Sequence, residues 1–173
     1  MIERLRYLLT WLCRSGHSRG FGIQSPSDYW LVRYVINEHW PYYQYHELGQ
    51  HDDWLTQKVG RLCFRLANWR QPTVITSSAY REYLHGGCRK AAFGEGTELV
   101  VLALQTDWRR QLAAVIDRAD ERTVLVVDDI RHHKAQWREL VADGRTVITF
   151  DLYYCGIVLF DQKRVKHHYI INF

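Results

Sequence analysis

The stretch Thr123–Ile130, T-V-L-V-V-D-D-I, constrains the fold of this chain more than any other. Val124, Leu125, Val126 and Val127 follow one another without polar alternation, which suits a strand covered on both faces in the centre of a parallel sheet. Two acids come next. Burying an unpaired carboxylate is costly, so Asp128 and Asp129 are expected where the strand emerges, at the carboxyl rim where open α/β sheets bind their ligands. A structural alternative has Asp129 capping a helix that starts near Arg131 while Asp128 bonds to backbone amides.

The rest of the chain supplies the partners of such a strand. Met1–Arg14 places Ile2, Leu5, Leu8, Leu9 and Leu12 on one helical face with Arg4, Arg6 and Arg14 among the remainder, an amphipathic helix that docks on the domain or on a second subunit. Glu3 and the arginines interrupt any apolar core, so it does not read as a signal peptide. After a Gly/Ser loop at Ser15–Gly22, Ser25-Pro26 opens a second helix whose expected buried stripe is Tyr29, Val32, Val35 and Ile36. His39–Asp53 is irregular. Its histidines His39, His46 and His51 fit no metal-ligand spacing and are read as structural. Trp54–Trp69 repeats apolar residues at helical spacing and ends before Pro72.

From Thr73 onward the pattern changes to short β-like runs separated by helical ones. Strands are expected at Thr73–Thr76, Leu99–Leu104, Thr123–Val127, Thr146–Phe150, Ile157–Phe160 and His168–Ile171. Helices are expected at Ala79–His85, stopped by Gly86-Gly87, at Trp108–Ala119 and at Ala135–Ala142. This alternation predicts a single α/β domain: a helical N-terminal extension over residues 1–71 and a mostly parallel core over 72–173 with an antiparallel C-terminal edge.

Composition narrows the function classes. The hydrophobic content is 47%, and no apolar run approaches the ~20 residues of a membrane span. Cys13, Cys63, Cys88 and Cys155 stand far apart without a C-x-x-C pair, which reads as free thiols in a reducing compartment and favours the cytoplasm. A net charge of +4 is mild and its basic residues are dispersed, so nucleic acid is not indicated. The many Trp and Tyr residues sit mostly in apolar patterns, where packing explains them. No Ser-His-Asp order, nucleophile elbow or phosphate-binding loop is present, and G-E-G-T at Gly94–Thr97 is too short for a dinucleotide fingerprint.

Two regions carry a resemblance. V-L-V-V-D-D-I-R-H-H-K-A-Q-W-R-E-L through V-I-T-F-D-L-Y-Y-C-G-I-V-L-F is similar to the C-terminal part of a bacterial group of class I S-adenosylmethionine-dependent methyltransferase-like proteins. G-F-G-I-Q-S-P and R-L-C-F-R-L-A-N-W-R-Q-P resemble that group's entry motif and the helix before its first strand. The resemblance implies a Rossmann-like sheet, with S-adenosylmethionine as cofactor if the protein is active.

On that comparison the loop after the first strand, V-I-T-S-S-A-Y-R, lacks the family's acidic, Gly-rich cradle, leaving Thr76 and Ser77 as cofactor-loop candidates. Lys90–Gly96 offers only Glu95 for the ribose, one strand–helix unit is missing, and Ala103 stands where metal-dependent members carry an acid. Losing two or three anchors removes about 4–6 kcal/mol of affinity, which moves a micromolar site to roughly millimolar. The expectation is therefore a degenerate, shortened member acting as a binding or scaffolding module, with dimerisation through its N-terminal helix.

Two alternatives stay open: an active O-methyltransferase on a small molecule, and a peripheral membrane or nucleic-acid binder working through the basic N-terminal helix. The candidate catalytic residues are Asp128, Asp129 and His132, with His133 as a substitute; two carboxylates and an imidazole can act as a general base or hold a cation, but no further ligand is supplied. Asp151 and Tyr153, before the final hairpin, are candidates for the same rim, with a turn as the structural alternative. His167-His168 is expected to alternate across a strand edge.

Overall fold

The computed structural model describes residues 2–17, 20–77, 79–104 and 107–173, with side chains from Tyr7 onward. The expectations for the side chains of Ile2, Arg4, Leu5 and Arg6 lie outside what is described. The α-helices and strands, in order, are α1 (Ile2–Cys13), α2 (Pro26–Leu31), α3 (Trp54–Arg70), β1 (Val74–Ser77), α4 (Arg81–Gly87), β2 (Ala92–Phe93), β3 (Leu99–Ala103), α5 (Trp108–Ile116), β4 (Val124–Asp128), α6 (Lys134–Ala142), β5 (Ile148–Asp151), β6 (Cys155–Leu159) and β7 (His167–Ile170).

The strands form one seven-stranded sheet in the order β2-β1-β3-β4-β6-β5-β7. β2, β1, β3 and β4 are parallel neighbours, β6 runs antiparallel to both β4 and β5, and β7 pairs parallel with β5. The chain is thus an α/β protein with a mostly parallel sheet and an antiparallel hairpin towards its C-terminal side, an architecture consistent with a Rossmann-like fold. β4 lies at the centre, as its apolar run requires. Val124 and Val126 enter a core with α2, α3 and α4, while Leu125 and Val127 enter a second core with α5 and α6.

Local chemistry explains the helix ends. The Ser25 hydroxyl accepts the Asp28 amide, with Pro26 in the first turn. Asp53 Oδ1 accepts the amides of Leu55 and Thr56 at 2.7 and 3.1 Å, and Gln71 closes α3 in a left-handed conformation.

Four expectations need correction. Tyr29 is exposed, and its place in the buried stripe belongs to Asp28 and Leu31. Asp28 is tolerated there because Arg164 Nη2 donates to its Oδ1 and the Tyr169 hydroxyl to its Oδ2. Gly86 and Gly87 lie inside α4 rather than beyond it, because α4 passes so close to α3 that a Cβ on Gly87 would meet the Phe64 carbonyl oxygen at 2.2 Å. The helix begins at Arg81 rather than Ala79, since Tyr80 takes a φ of 55°. A two-residue strand, β2, occupies Ala92–Phe93 where none was expected.

A loop without a helix connects β2 to β3. Thr76 Oγ1 donates to the carbonyls of Gly94 and Gly96, both at 2.8 Å, and accepts the Gly96 amide, which ties the loop across β1. Gly96 lies so close to Val74 that a Cβ would come within 2.7 Å of its side chain.

At the opposite side, α1 is anchored by Arg14. Its Nη2 donates to Asp151 Oδ1 at 2.8 Å, and Nη1 to the Asp151 and Ile171 carbonyls at 3.1 and 3.3 Å. The Asn172 amide donates to the His17 carbonyl, and Asn172 Nδ2 to that of Trp11. Leu8, Leu9 and Leu12 of the expected docking stripe remain exposed, as does Trp11, while Tyr7 packs against the core.

Candidate functional site

Asp128 is the last residue of β4, in register with Ala103 on one side and Cys155 on the other. That places it at the carboxyl rim, half-buried. Both carboxylate oxygens are engaged within the chain: Oδ1 accepts the Asp129 amide and Oδ2 accepts the Tyr80 hydroxyl, each at 2.9 Å. The bond to a backbone amide matches the structural reading of this residue. Tyr80 is the member that sequence reasoning missed. Its left-handed backbone at the β1–α4 turn sends the phenol over to β4, a contact that local pattern cannot announce.

Burial pushes the Asp128 carboxyl above the usual carboxylate range, and the neighbouring Asp129 charge adds to this; the Tyr80 and Asp129 hydrogen bonds and Arg131 pull the other way. Tyr80 is pushed up as well, first by burial and then by the Asp128 charge. The phenol therefore stays protonated and donates. Beneath them the thiols of Cys63 and Cys155 are completely buried and held above their ordinary value, so neither offers a thiolate at neutral pH.

Asp129 points elsewhere. Its φ is 53°, and its carboxylate takes His132 Nδ1 at 2.9 Å and Arg131 Nε at 3.4 Å. It does not cap α6, whose N-cap is His133 without a side-chain bond. His132 thus joins Asp129, exposed to solvent, rather than Asp128. The two acids are neighbours in sequence with separate surroundings. Among the described residues no three His, Cys, Asp or Glu side chains converge as a metal site would need.

The cofactor-loop candidates are occupied by their own loops. Thr76 Oγ1 is taken by Gly94 and Gly96. Ser77 Oγ bonds the carbonyl and amide of Ala79 at 2.6 and 3.1 Å. Glu95 is exposed between the two glycines that hold Thr76. The hydroxyls of Thr76 and Ser77 are thus engaged within their own loops, and Tyr80 spans from the β1 turn to Asp128.

Next to the pair, a groove of about 670 Å³ follows the carboxyl rim between α1 and α6. Asp151 and Tyr153 line it as expected, with Arg14, Arg131, Trp137 and Arg138. His168 reaches it from β7, where its Nδ1 meets Thr149 Oγ1 at 2.7 Å and burial lowers its pKa. His167 and His168 do alternate along that edge strand.

Compared with protein-family models, curated proteins and solved structures, the chain matches none. Among the described residues no helix is long and apolar enough to cross a membrane.

Proposed function

We propose that the chain is a shortened, methyltransferase-like protein that binds a partner rather than turning over S-adenosylmethionine. The observation that carries this reading is the Tyr80–Asp128 bond, which fills the rim between the turn after β1 and the end of β4 with the protein's own side chains. The engagement of Thr76 by Gly94 and Gly96 supports it from the other side of the same loop. Isothermal titration with S-adenosylmethionine tests it. The expected result is no saturable heat in the micromolar range; a micromolar Kd overturns the reading.

The competing reading, an O-methyltransferase for a small molecule using Asp128 or Asp129 as base, needs a cofactor seat, whereas the Thr76 and Ser77 hydroxyls are engaged within their own loops. A methyl-transfer screen with and without magnesium separates the two, since turnover in either arm favours the enzyme.

The surface offered to a partner is α1, where Leu8, Leu9, Trp11 and Leu12 are 43–54% exposed. A second copy of the chain is the simplest occupant, because one apolar face can cover itself about a two-fold axis. Sedimentation of a Leu9→Glu, Leu12→Glu double variant is expected to show a monomer where the unaltered protein is a dimer. Liposome and oligonucleotide pull-downs at varied salt address the membrane and nucleic-acid alternatives. A cytoplasmic setting is consistent with free thiols at Cys13, Cys63, Cys88 and Cys155.

A further inference from the structure

Helix α3 carries Lys58, Arg61 and Arg65 at a spacing of three and four residues, which stacks them along one face. They line a cavity of about 410 Å³ together with the segment 36–46 and Phe173. Among the described residues none of the three cations has a carboxylate partner. The one acidic side chain on the wall, Glu38, accepts the Tyr42 hydroxyl at 2.9 Å.

Arg65 is 7% exposed and is satisfied by neutral acceptors, with Nε on the Val35 carbonyl at 2.6 Å and Nη2 on that of Ile36 at 2.8 Å. Lys58 lies against ring faces, 4.3 Å from the Phe173 centroid and 5.4 Å from those of Tyr7 and Trp54. Burial first, and then the Arg65 charge, lower its pKa to about 8.

Two donors in this wall are orphaned. Asn37 Nδ2 and Arg61 Nε are buried without any acceptor, and Asn37 as a residue is 8% exposed. Buried donors are nearly always paired, and buried cations are usually matched by an anion. The three ammonium hydrogens of Lys58, Arg61 Nε and Asn37 Nδ2 together ask for more acceptors than the two oxygens of a carboxylate supply. A phosphate monoester, with three non-bridging oxygens and close to two charges, meets that demand. Four aromatic side chains, Trp40, Tyr42, Tyr45 and Trp54, also line the wall, with Trp40 75% exposed. The volume suits a small ligand.

We propose that this cavity is a binding site for a small organic phosphate bearing a flat ring, its phosphate held by Lys58, Arg61 and Asn37 and its ring laid against the aromatic wall. This site is separate from the Asp128 rim and stands whether or not S-adenosylmethionine binds. The arrangement is a binding site only; no bond to the phosphate is broken.

Titration calorimetry with phenyl phosphate and adenosine 5′-monophosphate, beside inorganic phosphate and benzoate, tests the proposal on the full chain. At least one ring phosphate is expected to bind saturably, at least tenfold tighter than inorganic phosphate or benzoate. Lys58→Met and Arg61→Met are each expected to weaken it at least tenfold with unchanged far-UV circular dichroism, and Trp40→Ala, at an exposed ring, to weaken it without any burden on folding. Arg110→Gln, on the exposed side of α5, is expected to change nothing. Absence of saturable binding by both ring phosphates overturns the proposal. So does binding that the Lys58, Arg61 and Trp40 variants leave intact, or that benzoate matches.

Discussion

The Tyr80 hydroxyl donates to Asp128 Oδ2 across 48 residues of sequence, joining the turn after the first strand to the end of the central one. Removing the hydroxyl in Tyr80→Phe leaves a half-buried carboxylate short of a donor. Hydrogen bonds to charged groups contribute about 1.5–3 kcal/mol, and chemical denaturation at neutral pH is expected to show a loss of that order.

The same pair sets a pH dependence. Burial raises the folded Asp128 pKa, so the folded chain holds this proton more tightly than the unfolded one. Its contribution to stability is full below the ordinary carboxylate range and is lost as pH rises through the raised folded value. Asp128→Asn can still accept the Asp129 amide and donate to Tyr80, and it removes the ionisation. Denaturation curves across mildly acidic to neutral pH are expected to show a flatter profile and a relative gain at the upper end. A slope unchanged by the substitution contradicts the assignment.

Packing of α4 on α3 gives a sharper contrast. In Gly87→Ala the new methyl meets the backbone carbonyl of Phe64, which cannot swing away. Overpacking of this kind costs about 1–3 kcal/mol. In Gly86→Ala the nearest atoms are the Leu48 and Phe64 side chains at 3.1–3.2 Å, which can yield by a few tenths of an ångström. Thermal midpoints are expected to fall clearly for the first variant and little for the second.

Lys58 gives the opposite sign to Asp128. Its folded pKa of about 8 lies below the usual lysine value of 10.5, so the unfolded chain binds the proton more tightly in that window. Stability at this site rises with pH from about 8 towards 10.5. Lys58→Met is expected to stabilise the protein at pH 7, with a benefit that fades through that window when unfolding is followed by circular dichroism.

Arg14 holds α1 to the rim through Asp151, both side chains being less than one-fifth exposed. Arg14→Gln is expected to free the helix, so that limited proteolysis cuts between α1 and α2 much faster while the sheet core survives. Equal cutting rates would mean that the Asn172 contacts hold the helix unaided.

Much of the architecture was legible because burial on both faces leaves a direct trace in composition. Val124–Val127 could be read as a central strand from its unbroken apolar run, and Ser25-Pro26 as a helix start from cap chemistry. Gly86-Gly87 misled because a glycine pair signals a stop locally but here permits a close helix crossing. β2 was hidden, since two residues carry no periodicity. The rim acids were found from their position after the strand. Their separation into a Tyr80 partner and a His132 partner was not, because it turns on two left-handed residues whose side chains would ordinarily avoid that conformation. Lys58, Arg61 and Arg65 were not singled out, because it takes the fold of residues 36–46 over α3 to enclose that face.

The union of the two ends of the chain has a consequence for biosynthesis. Arg14 is held by Asp151 and Ile171, and His17 and Trp11 by Asn172, so the first helix gains these anchors only after β5, and the full set only after β7, has been made. Throughout translation Leu8, Leu9, Trp11 and Leu12 ride ahead on an undocked segment, a natural landing place for a chaperone on the ribosome. A truncation that removes Asn172 leaves α1 to Arg14 on Asp151 and Tyr7 on Trp54, with those four side chains as exposed as before.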